Sequence, residues 1–531
     1  MTNRNPLVRW APILLSLSLL LGAVQVQAAP RQAKKKQKNA ALSPLVDLDG
    51  ILDKTDRQKE EKAGPRSMGE LLDSRRLSAL VDVKLDEEIG LAKQLIGFDN
   101  TCDGASPVRF RLGDLYWEKS KRAFFVSQNL DLPKAKRVEA KSLMAKYQKE
   151  TKRWYGEIVK QCPGYEALPK VLYYLGRVYV ELGRAKAGAR YFKRIIQEHL
   201  DSEWAGRSWF MIGEYYFDTA QDIEKALQAY ERASQDSNQS VTGFALYKEG
   251  WCYINTGEWE VALRRFESVI KWIEAKKLLE EGPASGLRRE ALKDYVRAYS
   301  NIQPEFSVKG LGKPDKAFEV FGKVASTDEV PRLIEELGQL YRNRDSHQKV
   351  VLIYNDLAKR FPSSMRQTIW QSYVLEALSR SGTRKQIIFH LEKLCSMLGD
   401  LWSADQANPV VDRNRKKQLL ESFDVAERIV RNLGLERHKE GRRLRGKARS
   451  RSFRFAADVY EAYLGAFGGR KLTSEVDYPY YVQFYQAELF LELGLLDKAA
   501  GAFEAVAAKG EAKTSGRERK MALRAAEESV H

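Results

Sequence analysis

Apolar side chains recur along most of the chain at intervals of three and four residues, with charged residues between them. The stretch from Met68 to Ile96 shows this spacing, with Leu85 and Ile89 among its apolar residues. Residues three and four apart share one face of an α-helix, whereas a strand would need alternation at every second residue. Long alternating runs are not evident. The pattern therefore predicts an all-α protein.

One helical pattern occurs three times between Pro169 and Lys271, and its glycines, Gly176, Gly213 and Gly250, are 37 residues apart. In every copy a large apolar residue lies four positions before the glycine, and a tyrosine lies three positions after it. A second apolar stretch follows each time, centred on an aromatic residue: Phe192, Tyr230 and Phe266. The pattern predicts helix pairs in which the glycine lets the second helix approach the first.

These motifs resemble the tetratricopeptide repeat (TPR), whose signature is W-x2-L-G-x2-Y followed by A-x3-F. The resemblance covers residues 107–398 and returns at 478–509. It implies a TPR-type α-solenoid, a right-handed superhelix of helix pairs with a concave groove lined by the first helices. It also implies a non-enzymatic scaffold that binds partner segments in that groove.

The N-terminus has the layout of a secretory signal peptide over residues 1–28. Arg4 and Arg9 precede an apolar run to about Val24, and small residues permit cleavage after Ala28. We therefore expect an exported, periplasmic protein. The alternative is an uncleaved signal that anchors the chain to the inner membrane.

Three segments follow the signal peptide. Residues 29–66 are a basic, then mixed-charge linker with few aromatic residues, which we interpret as disordered or extended. Residues 67–398 are expected to hold an N-terminal helical cap and the TPR array. An apparent break at 399–412 opens a C-terminal helical segment, 399–531, with a further repeat at 478–509 and a final capping helix.

A narrower resemblance rests on three features: Leu115–Ser120, the 37-residue repeats and Gln486–Phe490. Together they resemble large exported TPR proteins of delta-proteobacteria, including proteins associated with gliding motility and envelope-spanning trafficking machines. This resemblance implies that the partners are other proteins of the cell envelope.

Seven residues on the first helices are predicted to face the groove and to bind a partner. They comprise an aromatic ladder of three rings and four neighbouring side chains. The ladder is Tyr173, Phe210 and Tyr247, and the neighbours are Arg177, Glu214, Phe217 and Trp251. Exposed aromatic rows of this kind mark protein-interaction surfaces. The alternative is that the rings pack between helices as core.

The formal net charge of +18 favours anionic partners. No zinc-finger, basic-zipper or RNA-binding signature occurs, so nucleic acid is not expected. A basic patch is predicted between two long helices, and its central residues are Arg442, Arg443, Arg445, Lys447 and Arg449. It would contact anionic lipid or cell-wall polymer, which makes an envelope-biogenesis factor the second functional hypothesis. Alternatively, the patch is a solvated helix face.

Catalytic motifs were not found: the five histidines are scattered, and neither a phosphate-binding loop nor a nucleophile elbow is present. No metal or cofactor is expected, although a hidden site within 399–478, or a role as docking subunit of an enzyme complex, stays open. Of the four cysteines, Cys102 and Cys162 are predicted to form a disulfide, because the surrounding sequence indicates loops just before a helix and export exposes both residues to oxidation.

Overall fold

The computed structural model describes residues 68–236, 241–276, 283–307, 310–407, 412–469, 476–510 and 516–530. Within these ranges the chain is helical apart from turns, and it forms no strand. None of the helices described has an apolar stretch long enough to cross a bilayer. The predicted signal peptide and the linker at 29–66 lie outside the described residues.

The chain divides into two compact units, Met1–Ala298 and Tyr299–His531. The helices of the first unit are α1 (Met68–Phe98), α2 (Cys102–Gln128), α3 (Lys134–Gln161), α4 (Leu168–Glu181), α5 (Ala185–Glu198), α6 (Trp204–Glu214), α7 (Ile223–Ser234), α8 (Thr242–Thr256), α9 (Trp259–Ala275) and α10 (Pro283–Asn301), which reaches the boundary. A π-helical turn, Tyr215–Ala220, continues α6.

The second unit begins with a short 3₁₀ turn and continues through ten helices in its described part. They are α11 (Ala317–Phe321), α12 (Val330–Asn343), α13 (His347–Arg360), α14 (Gln367–Ser381), α15 (Arg384–Ala407), α16 (Arg413–Arg443), α17 (Gly446–Phe467), α18 (Tyr478–Glu492), α19 (Leu496–Gly510) and α20 (Gly516–Val530). The predicted capping helix corresponds to α20, which packs against α19.

Successive helices pack as hairpins, and a glycine of the first helix receives an aromatic ring of the second. We call this contact the glycine notch. A Cβ atom on Gly176 would lie 2.6 Å from the Phe192 ring, and the two following copies give 2.5 and 2.6 Å. Such a distance is far inside van der Waals contact, so only glycine allows this approach. The prediction that a small residue permits close helix packing is confirmed.

The same notch occurs in three hairpins outside the 37-residue copies: Gly113 with Tyr155, Gly338 with Tyr354, and Gly434 with Tyr460. The last of these joins α16 and α17, for which the sequence predicted two long helices but no repeat. The notch contact shows that this hairpin uses the same packing device as the recognised repeats.

The predicted boundary after residue 398 differs from the structure. Helix α15 continues through Gly399 without interruption and ends at Ala407. Both α14 and α15 then pack against the α16–α17 hairpin. Gly399 therefore lies inside a continuous helix and does not mark a boundary. The two compact units separate after Ala298, a hundred residues earlier.

A disulfide joins Cys102 and Cys162, as predicted, with their Cα atoms 5.5 Å apart. Cys102 begins α2, where Thr101 caps the helix by accepting a hydrogen bond from the Gly104 amide at 3.2 Å. Cys162 directly follows α3. The bridge therefore closes the open end of the α2–α3 hairpin. For a loop of this length the chain-entropy estimate is about 4 kcal/mol of stabilisation.

Candidate protein-binding face

The predicted aromatic ladder is wrong, because its three rings are buried. Tyr173, Phe210 and Tyr247 are 0%, 4% and 3% exposed. Each lies three residues before a notch glycine, and residues three apart share a helix face. The ladder therefore points at the second helix, which is the direction the glycine faces.

Each ladder ring contacts the aromatic residue that fills its own notch. The ring centroids are 5.7 Å apart for Tyr173 and Phe192, 5.6 Å for Phe210 and Tyr230, and 5.6 Å for Tyr247 and Phe266. These distances are typical of aromatic pairs in protein cores. The rings stabilise the hairpins. The structure therefore supports the alternative interpretation, in which the rings pack between helices as core.

Arg177 is also buried, with 3% of its surface exposed. Helix α3 packs against α4 and brings Tyr155 within electrostatic range of the guanidinium group. Glu181, one turn later, lies 4.0 Å from it. Arg177 is therefore part of the packing between α3 and α4, and its predicted place in an open groove is corrected.

Glu214 is at the centre of a polar cluster on the exposed side of α6 and α8. Its carboxylate accepts a hydrogen bond from the Tyr230 hydroxyl at 2.5 Å and pairs with Lys248 at 2.8 Å. The Lys248 ammonium lies 5.4 Å from the centre of the Phe217 ring. Phe217 belongs to the π-helical turn after α6 and is half-buried. π-helical turns often occur at functional sites, where they change the direction of a side chain.

Trp251 is held in a second cluster, between α8 and α10. Its indole nitrogen donates to Asp294 at 3.1 Å, and the Arg297 guanidinium lies 5.4 Å from its ring. Asp294 also accepts from the Tyr247 hydroxyl at 2.6 Å and pairs with Arg297 at 2.6 Å. The indole is half-buried, so one side of the ring stays accessible.

The charges in both clusters compensate one another. Burial raises the pKa of Asp294, and the opposing effects of Arg297 and the Tyr247 hydroxyl only reduce that rise. Burial and the neighbouring Glu214 raise the pKa of Asp218. For Lys248, burial lowers the pKa, but the charges of Glu214 and Asp218 outweigh it and raise the pKa overall. Lys248 is therefore held as a cation in this face.

We define the first-helix face by the partly exposed members of these clusters. They are Glu214, Phe217, Lys248, Trp251 and Arg297. Each of the two aromatic rings lies beside a cation. The Trp251 indole is held by its hydrogen bond to Asp294, and the Phe217 ring packs against Tyr230. Rigid aromatic rings of this kind are the usual anchors of protein interfaces. The face can therefore contact an apolar or aromatic segment without first rearranging.

Three residues important to this face were missed from the sequence: Lys248, Asp294 and Arg297. Asp294 had a detectable signal. It shares the apolar spacing of Leu287 and Ala291, so it occupies a core position although it carries a charge. A buried carboxylate requires partners, and here they are Arg297 on its own helix and two aromatic residues of the preceding first helix.

The predicted basic patch lies at two helix ends and their short turn, rather than in a long connection between helices. Arg442 pairs with Glu488 at 3.1 Å, and Arg449 pairs with Glu492. Arg443, Arg445 and Lys447 are exposed and form no ion pair with any residue that the structure describes. Only part of the patch is therefore an uncompensated positive surface.

The model of the tetratricopeptide repeat family matches residues 170–202 and 244–271. These segments cover the α4–α5 hairpin and most of α8–α9. The hairpin between them, α6–α7, is interrupted by the π-helical turn. No curated protein matches this chain in sequence.

Three solved structures match this chain at low sequence identity. The structure of Naa15/Naa10 bound to HypK-THB has 12% identity, 84% coverage of this chain, 66% coverage of that chain and a TM-score of 0.30. The TPR domain of P58(IPK) has 11% identity, coverages of 77% and 98%, and a TM-score of 0.21. A circular tandem repeat protein has 14% identity, coverages of 91% and 95%, and a TM-score of 0.18.

The fold is an all-α solenoid of the TPR type, as the sequence predicted. The family match and the glycine notches of the stacked hairpins together establish this class. TPR repeats support a protein–protein interaction scaffold, because stacked helix pairs leave an extended surface of first helices for binding.

Proposed function

We propose that the protein is a non-enzymatic scaffold that binds a segment of a partner protein on the first-helix face. The observation that carries this proposal is the pair of half-exposed rings, Phe217 and Trp251, each fixed beside a cation. The partner segment would present apolar or aromatic side chains to the rings. Its backbone or carboxylates would approach Lys248 and Arg297.

The partners are proposed to be other proteins of a bacterial cell envelope, within an envelope-spanning machine such as a gliding-motility or trafficking complex. Support for export comes from the signal-like pattern of residues 1–28 and from the Cys102–Cys162 disulfide, since such bridges persist in oxidising compartments. Fractionation and mass spectrometry of the mature chain test this. An N-terminus after Ala28 and a two-hydrogen mass gain on reduction are expected.

Site-specific crosslinking in cells tests the proposed binding face. A photo-reactive phenylalanine analogue is placed at Phe217 or at Trp251, and the crosslinked peptides are identified by mass spectrometry. Both positions are expected to capture the same partner sequence, because the two rings lie on neighbouring first helices. Different or absent partners at the two positions would contradict a single binding face.

Phe389 provides a matched control, since it is an exposed aromatic residue of α15 in the other unit. The analogue at Phe389 is expected to leave this partner uncaptured. Alanine at both Phe217 and Trp251 should weaken partner capture and leave helicity unchanged by circular dichroism. Loss of helicity would instead show that the two rings are part of the core.

A second function, an envelope-biogenesis factor that binds anionic polymer or lipid, is favoured by one observation: the exposed cations Arg443, Arg445 and Lys447, which form no ion pair within the described part of the chain. Salt separates the two proposals. Binding through aromatic rings tolerates added salt, whereas binding to a polyanion weakens as screening increases.

A further inference from the structure

Two hairpin turns of the second unit lie at the same end of neighbouring helices. One joins α16 to α17 and the other joins α18 to α19. Arg442 pairs with Glu488 at 3.1 Å, and Arg449 pairs with Glu492. These two ion pairs connect the last turn of α16 and the first turn of α17 to the end of α18. They therefore hold the two turns side by side.

The first turn is strongly cationic. Arg443, Arg445 and Lys447 are exposed, and they have no ion-pair partner among the described residues. The acidic residues nearest in sequence already have cationic partners: Glu436 pairs with Arg380, and Glu440 pairs with Arg437. The positive charge of this turn is therefore not compensated by any ion pair among the residues of the unit that the structure describes.

The second turn is aliphatic. Leu491, Leu495 and Leu496 are 41%, 43% and 64% exposed, although leucine is among the residues most often buried. Gly494, with φ at +71°, makes the tight turn between the helices, so the leucines on both sides of it are close together. Two acidic residues lie beside them in sequence: Glu492 pairs with Arg449, and Asp497 is followed directly by Lys498.

Adjacent cations and protruding aliphatic side chains match the surface of an anionic bilayer. Cations near such a surface gain electrostatic attraction, and aliphatic side chains gain by leaving water for the boundary of the acyl chains. A soluble polyanion would satisfy the cations but would give the leucines no apolar environment. The combination therefore favours a lipid surface over a soluble anionic polymer.

We propose that these two turns form a peripheral contact site for an anionic phospholipid bilayer. The basic–leucine tip, as we call it, consists of Arg443, Arg445, Lys447, Leu495 and Leu496. It lies in the second unit, whereas the first-helix face lies in the first. The scaffold proposal therefore does not depend on the tip, whereas the second proposed function, binding of anionic polymer or lipid, rests on the same three cations and is made specific here.

Vesicle sedimentation with the full chain tests the proposal. The protein is mixed with vesicles of phosphatidylcholine and phosphatidylglycerol, and separately with pure phosphatidylcholine vesicles. Stronger binding to the anionic vesicles is expected. The combined variant Arg443→Gln, Arg445→Gln and Lys447→Gln should weaken that binding by up to about 100-fold, because each of the three lost cations contributes separately to the attraction to an anionic surface.

The leucines are tested by Leu495→Ser with Leu496→Ser, which keeps the charge. This variant should weaken binding to anionic vesicles about tenfold, since each partly exposed leucine can gain only a part of its full burial energy. Binding to inorganic polyphosphate should be unaffected by it. If binding to vesicles is equally unaffected, the site recognises polyanions in general and the bilayer proposal is wrong.

Two control variants match these changes in the first unit. Lys134→Gln, Lys136→Gln and Lys141→Gln remove the same charge from exposed positions of α3. Leu130→Ser with Leu200→Ser removes two exposed leucines. Both controls should bind vesicles as the unmodified protein does. If the charge control weakens binding as much as the tip variant, diffuse charge is responsible and the proposed site is excluded.

Discussion

The glycine notches of the first unit fall into two kinds, which differ in one hydroxyl group. At Gly176 and Gly250 the ring in the notch is phenylalanine, and the residue after the glycine is arginine or tryptophan. At Gly113 and Gly213 the ring is tyrosine, and the residue after the glycine is an acid.

In these two hairpins the acid accepts a hydrogen bond from the tyrosine hydroxyl, which is carried into the hairpin together with its ring. Tyr155 donates to Asp114 at 2.6 Å, and Tyr230 donates to Glu214 at 2.5 Å. A buried hydroxyl without a partner costs about 1–3 kcal/mol. In these two tyrosine hairpins the residue after the glycine therefore satisfies a buried hydroxyl group. In the two phenylalanine hairpins the ring carries no hydroxyl, so the residue at this position has no such group to satisfy.

The second unit solves the same problem with a different partner. In the Gly434 notch, the Tyr460 hydroxyl lies 3.3 Å from Nδ1 of His438, which is itself 4% exposed. Burial and the nearby Arg442 lower the pKa of His438 from 6.5 to about 4. A histidine partner, unlike a carboxylate, makes this hairpin sensitive to mild acid.

The largest expected effect is acid destabilisation of this histidine-partnered notch. Between pH 6.5 and about 4 the unfolded chain binds a proton at His438 that the folded chain does not bind, so stability falls as pH falls. The loss should approach about 3 kcal/mol. Urea unfolding at several pH values measures it, and His438→Gln should flatten the slope. Equal slopes for both proteins would contradict the assignment.

The helix pairs and their glycine notches could be predicted because both follow from fixed spacings along one helix. In the recognised repeats the notch ring follows its glycine by 16 or 17 residues, as with Gly176 and Phe192. In the α16–α17 hairpin the separation from Gly434 to Tyr460 is 26 residues, because both helices are longer. The repeat spacing therefore does not predict this contact.

The binding face was predicted less well, for two different reasons. Placing Tyr173 and its equivalents in the groove was an error of helix geometry. Each lies three residues before a notch glycine, and residues three apart share nearly the same helix face, so the sequence alone could have corrected it. The pairing of Glu214 with Lys248, or of Trp251 with Asp294, depends on distances between successive hairpins. The spacing within one helix does not determine those distances.

A second prediction concerns the glycine itself. Gly250→Ala should destabilise the first unit by about 2 kcal/mol, because its Cβ would lie 2.6 Å from the buried Phe266 ring. Gly156→Ala is the matched control in α3, where an added Cβ meets no atom within 4 Å. The control should instead stabilise slightly, through the higher helix propensity of alanine. Urea unfolding followed by circular dichroism measures both, and similar effects at the two sites would refute the notch interpretation.

A third prediction converts one kind of notch into the other. Phe192→Tyr should destabilise the α4–α5 hairpin by about 1–2 kcal/mol, since the residue after Gly176 is Arg177, which offers no acceptor to the new hydroxyl. Arg177→Glu alone should also destabilise, because it removes the buried guanidinium beside Glu181, but it supplies the acceptor, so the double variant should lose less than the sum of the two single variants. A double-mutant cycle of unfolding free energies measures the coupling. Purely additive effects would show that the acid after the glycine is unrelated to the tyrosine.

The smallest expected effect is the reverse conversion, Tyr230→Phe. Glu214 loses one hydrogen bond but keeps its ion pair with Lys248 at 2.8 Å, so a loss of about 1 kcal/mol is expected. Because Lys248 still orients Glu214 and remains beside Phe217, binding of a partner to the first-helix face should hardly change. Unfolding free energy and crosslinking through the Phe217 position provide the two measurements. A large loss of crosslinking at unchanged helicity would mean that the Tyr230 hydroxyl, rather than Lys248, fixes the geometry of the face.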